Sequence, residues 1–298
     1  MKNVKEDTLD LFDGTEFRHV APFKTQLLKW IGNKQQFSHK IASFFPTSIR
    51  TYRDPFLGSG AVLAALQPPE AVGSDSCGPL MEIWQCLRDS PDQLADWYKA
   101  RYTEYTTAGK PEGYERIKAR YNAHPNGADL LFICRSCYGG VVRFRKSDGY
   151  ISTPCGVHHP ITPEAFAQRV RLWRRRTLGA MFRQMDFEEA MSLGKEKDLV
   201  YCDPPYVFSQ AILYRGQGFS LERLLRVIGE CKGRGVHVAL SIDGKKKSGR
   251  VDCELSIPDG LFEREVFLDC GRSMLRRFQR EGESLEDEVV HDRLLLTY

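Results

Sequence analysis

The chain has 298 residues, 42% of them hydrophobic and 28% charged, with a formal net charge of +4. That length allows one large domain, or a core with an insert, and the absence of any run of about 18 apolar residues argues against a membrane span. The charged start MKNVKEDTLD does not read as a signal peptide, and nine cysteines without framework spacing suit a reducing compartment, so a cytoplasmic protein free of membranes is expected.

Residues 1–19 show no periodicity and read as an N-terminal tail. A polar helical stretch runs to Ile41–Phe45 and stops at Pro46. Thr51–Phe56 reads as a short strand entering a glycine turn, Ala61–Leu66 as the helix after it, and Ala71–Asp75 as a second strand ending in an acid. Strand, glycine turn, helix, strand is the opening of a doubly wound α/β fold. From Pro79 to about Arg120 the pattern is helical and polar, with breakers at Gly109-Lys110-Pro111 and His124–Gly127. Asp129–Cys137 reads as an apolar helix and Tyr138–His159 as loop-rich. Helix resumes at Thr162-Pro163-Glu164, an N-cap followed by proline at the first helical position. The alternation then returns: strand Asp198–Cys202, helix Leu221–Cys231, strand Val236–Ile242, with Phe262–Leu268 and Arg293–Tyr298 as closing strands. The pattern predicts a discontinuous α/β domain over 20–80 and 180–298, interrupted by an insert over 81–179.

The small net charge hides an uneven distribution. Leu130–Met185 holds ten Lys or Arg against two acids, a local charge of +8 that leaves −4 for the rest of the chain. A basic segment interleaved with Tyr138, Phe144, Tyr150 and Trp173 is the footprint of a phosphate-backbone binder. For Arg169–Arg176 a solvated helix face is the competing explanation.

Two motifs carry chemistry. Asp54-Pro55-Phe56-Leu57-Gly58-Ser59-Gly60 sits between a strand and a helix, where glycines let a ligand approach the backbone and leave helix N-terminal N–H groups free. Asp75, at the tip of the next strand, stands where an acid takes ribose hydroxyls in nucleotide-type folds. The three-glycine dinucleotide fingerprint and the P-loop Gly-Lys-Ser/Thr are both absent, which disfavours a phosphate-bearing cofactor and leaves an adenosyl one open. The second motif, Asp203-Pro204-Pro205-Tyr206, follows the strand Asp198–Cys202. Two prolines offer no N–H donors, so the carboxylate and a proline carbonyl form an all-acceptor pair suited to an exocyclic amino group. Tyr206 adds a face on which an extruded base can stack. A plain turn after a strand explains Pro-Pro equally well from the residues alone.

Asp203-Pro204-Pro205-Tyr206, with Phe56-x-Gly58-x-Gly60 and Lys29-Trp30-x-Gly32-x-Lys34 upstream, resembles the Dam-type, α-class family of DNA adenine-N6 methyltransferases, in the family's order and over roughly Lys29–Tyr298. The resemblance implies a Rossmann-like S-adenosylmethionine-dependent methyltransferase sheet with a mainly helical target-recognition insert carrying a β-hairpin. It also implies transfer of a methyl group from S-adenosylmethionine to adenine N6 in double-stranded DNA, by base flipping and direct in-line transfer. No metal, membrane or obligate protein partner is implied, and the enzyme would act as a monomer. Trp30 and Lys34 would hold the methionine end of the cofactor, Phe56, Gly58 and Gly60 would line it, Asp75 would take the ribose, and Asp186-Phe187 would meet its adenine. Asp203, Pro204, Pro205 and Tyr206 would be catalytic.

Within the insert, Tyr138–Arg145 and Gly149–Gly156 resemble the two halves of the family's recognition hairpin. Arg143 matches its guanine-reading arginine and Tyr138 the residue that enters the duplex, while Arg145 and Ser152 stand where the family carries asparagines. Gly139 is a further departure, so the resemblance implies the reaction and not a GATC target. The alternatives are cytosine-N4 or RNA adenine methylation, or a non-catalytic DNA-binding regulator on the same scaffold. Asp203 speaks for adenine, because the cytosine-N4 group by resemblance more often carries serine there. Cys134-x-x-Cys137 lacks a second pair for a zinc site. Lys245–Lys247 with Arg250 reads equally as a phosphate-contacting loop or a solvated one.

Overall fold

The computed structural model describes residues 18–145, 147–205, 219–243, 257–272 and 289–298. Among these, seven strands form one sheet: β1 (Tyr52–Asp54), β2 (Ala71–Asp75), β3 (Ala180–Gln184), β4 (Leu199–Cys202), β5 (His237–Asp243), β6 (Arg264–Arg272) and β7 (Val289–Leu296). Their order is β3-β2-β1-β4-β5-β7-β6, parallel from β3 to β5, with β7 antiparallel to both of its neighbours. This is a Rossmann-like, mainly parallel α/β sheet. The chain runs outward from β1 through β2 to β3, then returns to place β4 on the other side of β1, pairing Tyr52 with Leu199. The order reverses between β1 and β4, and in such sheets the crevice beyond the strand C-termini at that point takes ligands. Both sequence motifs emerge there, Asp54 from β1 and Asp203 just after β4.

Helices cover both faces. β4 is buried along its whole length: Leu199 and Tyr201 join one core cluster, Val200 and Cys202 the other, as alternation across a strand requires. The second cluster is closed by α8 (Phe187–Ser192) and α9 (Leu221–Gly233). On the first face lie α1 (Ser38–Ser43) and α2 (Ala61–Leu66), and between β2 and β3 the chain builds α3 (Gly78–Asp89), α4 (Pro91–Ala108), α5 (Glu112–Ala123), α6 (Gly127–Ser136) and α7 (Pro163–Arg176). Trp84, Tyr98, Phe132 and Trp173 from these intervening helices share one apolar cluster with Tyr52 and Ala71 of the sheet.

The predicted polar helical stretch after Pro79 is three helices, because Pro91 and Pro111 each restart the chain at a helix N-terminus. β3 and α8 were not anticipated. β3 is an edge strand of five residues, alternately exposed at Met181 and Arg183, too short and too polar to stand out from the basic run before it. Residues 1–17, Lys146, Tyr206, Lys245–Lys247 and Arg250 lie outside the described residues.

Part of the basic segment proves to be internal support. Arg135 donates to Leu27 O at 2.8 Å, Arg169 to Gln26 O at 2.8 Å, and Arg176 to Ala64 O at 3.0 Å while its guanidinium lies 4.0 Å over the Phe23 ring. Arg135 and Arg169 satisfy carbonyls of the irregular segment leading to Trp30, which has no ladder of its own, while Arg176 ties α2 to Phe23 of that segment. Among the described residues no helix is long and apolar enough to cross a membrane.

Candidate active site

The loop after β1 is shaped by its glycines. Gly58 has φ +45° and Gly60, the N-cap of α2, φ +62°. A side chain at Gly60 would also collide with the sheet's cover: its Cβ would stand 2.8 Å from Cη2 of Trp84. The Trp84 indole N–H donates to Gly58 O at 3.1 Å, so α3 props the loop from behind. Asp75 ties the same loop to β2. Its Oδ2 accepts from the Gly58 N–H at 3.2 Å and its Oδ1 from the Cys77 N–H at 3.0 Å. Burial raises the Asp75 carboxyl above its ordinary range, against these N–H donors, which favour the ionised form.

Asp54 ends β1 fully enclosed. The Tyr52 hydroxyl donates to its Oδ2 at 3.1 Å, and burial pushes its pKa up to about 8, with the charges of Asp203 and Asp75 acting in the same direction. Asp203 follows β4, and the ammonium of Lys34, itself 5% exposed, stands 3.2 Å from its Oδ1. Lys34 arrives there because the strap before it is pinned: beside the arginine contacts, the Trp173 indole donates to Thr25 O at 2.9 Å. Further round, Phe56 and Phe187 stack with centroids 5.3 Å apart, and Phe219 meets Phe56 edge-on at 6.0 Å. Asp186 caps α8 by accepting from the Glu188 N–H at 2.9 Å, and it pairs with Arg223 of α9, whose guanidinium covers the Phe187 ring at 4.5 Å.

The loop after β1, Asp75, Lys34, Asp203 and the aromatic group of Phe56, Phe187 and Phe219 line one cavity of about 330 Å³. It gathers Trp30, Lys34, Phe56, Gly58, Asp75, Asp186 and Phe187, all predicted for the cofactor, with Asp203 and Pro205 of the acceptor motif. Gly60 lies behind the cavity wall as the α2 cap, and Pro204 is buried beside Asp203. Tyr206 is outside the described residues. Residues that sequence reasoning did not place in the site include Asp54, Tyr121, Phe144, Tyr201 and Phe219 in the lining, and Trp84 behind it. Asp54 opens a motif already recognised and could have been found. Nothing in the spacing of Trp84, Tyr121 or Phe144 points to the cavity.

The predicted DNA contacts form a separate surface. Tyr138 starts a 3-10 turn, and beyond it the chain folds back on itself with antiparallel bridges Cys137–Cys155 and Phe144–Ile151. Val142, Phe144, Ile151 and Thr153 point inward, while Tyr138, Arg143, Arg145 and Ser152 are exposed. Arg145 pairs with Asp148 at 2.7 Å and lies 4.5 Å over the Tyr150 ring. Cys134 and Cys137 are buried free thiols; among the described residues no group of three or more His, Cys, Asp or Glu could hold a metal ion.

A family model described as D12 class N6 adenine-specific DNA methyltransferase matches residues 30–248. The chain is 28% identical over 187 residues to the retron Ec67 DNA adenine methylase of Escherichia coli, covering 60% of this chain and 63% of that one. It is 25% identical over 231 residues to the type II methyltransferase M1.LlaDCHI of Lactococcus lactis subsp. cremoris, covering 72% and 79%. To the DNA adenine methylase of Haemophilus influenzae it is 23% identical over 249 residues, covering 80% and 82%. The match thus spans less than two thirds of the retron protein and most of the other two.

Proposed function

Because the chain belongs to the D12 class N6 adenine-specific DNA methyltransferase family, we propose that it methylates adenine N6 in duplex DNA, using S-adenosylmethionine, with the base flipped out and the methyl passed directly in line. The observation that carries this reading is the convergence of the Asp203 acceptor motif with the glycine loop and Asp75 on one cavity at the β1/β4 switch point.

The donor set fits that cofactor. Lys34 suits its carboxylate, and the cofactor's ammonium would stabilise the ionised form of the enclosed Asp54 carboxyl, which burial otherwise keeps protonated. Asp75 stands for the ribose hydroxyls, and the stacked Phe56 and Phe187 with Asp186 for the adenine. Trp30 packs against the glycine loop, its Cδ1 3.1 Å from where a Cβ on Gly58 would stand. The cofactor supplies a methyl group already activated as a sulfonium, so the chain's task is to present an aligned, water-poor nucleophile.

Asp203 and the Pro204 carbonyl accept the two hydrogens of the adenine amino group, which turns its lone pair out of conjugation with the ring. Lys34, itself nearly buried, balances the Asp203 charge. Tyr206 stacks on the flipped base. Pro205 carries no N–H, so it adds no competing donor. The intervening region over 81–179 reads the target: Arg143 is suited to guanine O6 and N7, the commonest specific major-groove contact, with Tyr138, Arg145 and Ser152 beside it on the exposed face of the hairpin.

Incubation with methyl-labelled S-adenosylmethionine and DNA or RNA, followed by nucleoside analysis, tests the proposal. N6-methyladenine from duplex DNA supports it. N4-methylcytosine, label confined to RNA, or DNA binding without any transfer would replace it with one of the alternative readings.

A further inference from the structure

One face of α5 is a polar stripe. Tyr114, Lys118 and Asn122 recur every fourth residue and all three bond the backbone of the inner arm of the exposed hairpin. The Tyr114 hydroxyl donates to Thr153 O at 2.8 Å and the Lys118 ammonium to the same oxygen at 3.4 Å. Asn122 takes both groups of Ile151: Nδ2 donates to Ile151 O at 3.1 Å, and Oδ1 accepts from Ile151 N–H at 2.7 Å. On its other side the same arm bonds its hairpin partner, with the Thr153 hydroxyl accepting from Arg143 N–H at 2.8 Å and donating to Val141 O at 3.1 Å. The helix therefore stands in for a third strand.

The hairpin needs such a strand. Its own pairing consists of the two bridges and a few cross-arm bonds, Arg145 N–H to Tyr150 O at 2.8 Å, Ser152 N–H to Arg143 O at 3.3 Å and Tyr138 N–H to Pro154 O at 2.9 Å, and a two-stranded hairpin by itself is only marginally stable in water. A slip of one residue would exchange the faces, turning Arg143 and Arg145 inward and Phe144 outward. Burying Tyr114 and Lys118 is unfavourable unless their polar atoms are bonded; the Tyr114 hydroxyl is satisfied by Thr153 O, and the Lys118 ammonium is held mainly by Glu115 at 2.7 Å, with Thr153 O its second contact. Phe144, paired with Ile151 and flanked by the two arginines, meanwhile lines the cofactor cavity, as does Tyr121 next to Asn122.

We propose that Tyr114, Lys118 and Asn122 are positioning residues for target recognition: from behind the hairpin they set the register in which Arg143 and Arg145 face outward, with Asn122 the decisive member. The inference rests on the proposed reading of that hairpin as the DNA-reading surface.

The test offers a pool of duplexes with a randomised central segment, with S-adenosylmethionine, to the wild type, Asn122→Ala and Asn122→Asp, and sequences the methylated sites. All sequences compete in one tube, so the preference for the favoured motif over its single-base variants does not depend on how much enzyme is folded. The wild type should concentrate methylation on one motif, and Asn122→Ala should lose about tenfold of that preference, within the range of one bidentate base contact. Asn122→Asp keeps the acceptor toward Ile151 N–H and lacks the donor, so it should lose less. Wild-type preference in Asn122→Ala overturns the inference; should that protein not be recoverable, wild-type preference in Asn122→Asp does so. A wild type that methylates no DNA refutes the proposed function instead.

Discussion

Lys34 and Asp203, 169 residues apart in the sequence, meet in an ion pair of 3.2 Å on the wall of a single cavity. The pair joins the segment proposed to hold the cofactor to the motif proposed to hold the acceptor amine. Asp203→Asn keeps an acceptor oxygen and removes the charge, and a rate loss of at least about 100-fold is expected, the scale of deleting one preorganised electrostatic contact. Cofactor affinity by calorimetry should be nearly unchanged. Near-normal turnover in this variant, or in Asp203→Ala, would remove Asp203 from the chemistry.

Asp54 makes the protein's stability depend on pH in a definite direction. Its pKa is about 8 when folded, against an ordinary carboxyl value of 3.8, so the folded state holds a proton that the unfolded state has released. The associated stability is fully present below about pH 4 and is lost as pH rises through about 8. Thermal melts of cofactor-free protein across that window should fall more steeply for the wild type than for Asp54→Asn. Parallel curves would contradict the burial argument.

Gly60→Ala tests the loop. At φ +62° an L side chain costs roughly 1–2 kcal/mol, before the clash with Trp84 2.8 Å away. A melting temperature lower by several degrees is expected, with a marked loss of cofactor affinity because the loop must shift. Calorimetric binding equal to wild type would show that the loop tolerates the displacement.

The Arg145–Asp148 pair holds one reading-face cation in check. Asp148→Asn releases Arg145 and removes a negative charge from the same surface. DNA binding should tighten, and the slope of log affinity against log salt should steepen by about 1, as one added phosphate contact predicts. An unchanged slope would mean that Arg145 stays on Tyr150 in the complex.

Arg176 belongs to the basic stretch by sequence and to the scaffold by structure. Arg176→Ala removes its bond to Ala64 O and its cover over Phe23, and should lower the melting temperature. The salt slope of DNA binding should not change. A flatter slope would return Arg176 to the phosphate-contacting set.

Most of the α/β alternation was legible because parallel strands buried on both faces are short apolar runs. Leu199–Cys202 is the plainest case, and its four residues are all buried. β3 was missed because an edge strand such as Ala180–Gln184 keeps Arg183 and Gln184 in solvent. The cofactor residues were legible for a different reason. A glycine loop between strand and helix is a local backbone requirement, and Asp75 follows it at the next strand tip. The hairpin halves were legible as a motif, although the outward turn of Arg143 and the inward turn of Phe144 were not.

The sequence by itself determined the chemistry available: an all-acceptor Asp-Pro-Pro motif, a glycine turn between strand and helix, and a +8 segment to meet phosphate. Those properties reside in single residues or in a few neighbours, whose dihedral limits and charges hold wherever the chain folds. Only the tertiary structure decided which of them meet. It brought Lys34 to Asp203, placed Trp84 beneath Gly60, turned Arg135, Arg169 and Arg176 from DNA-binding candidates into internal struts, and set α5 behind the hairpin. Each of these depends on side chains far apart in the chain filling one close-packed volume, which no local pattern encodes.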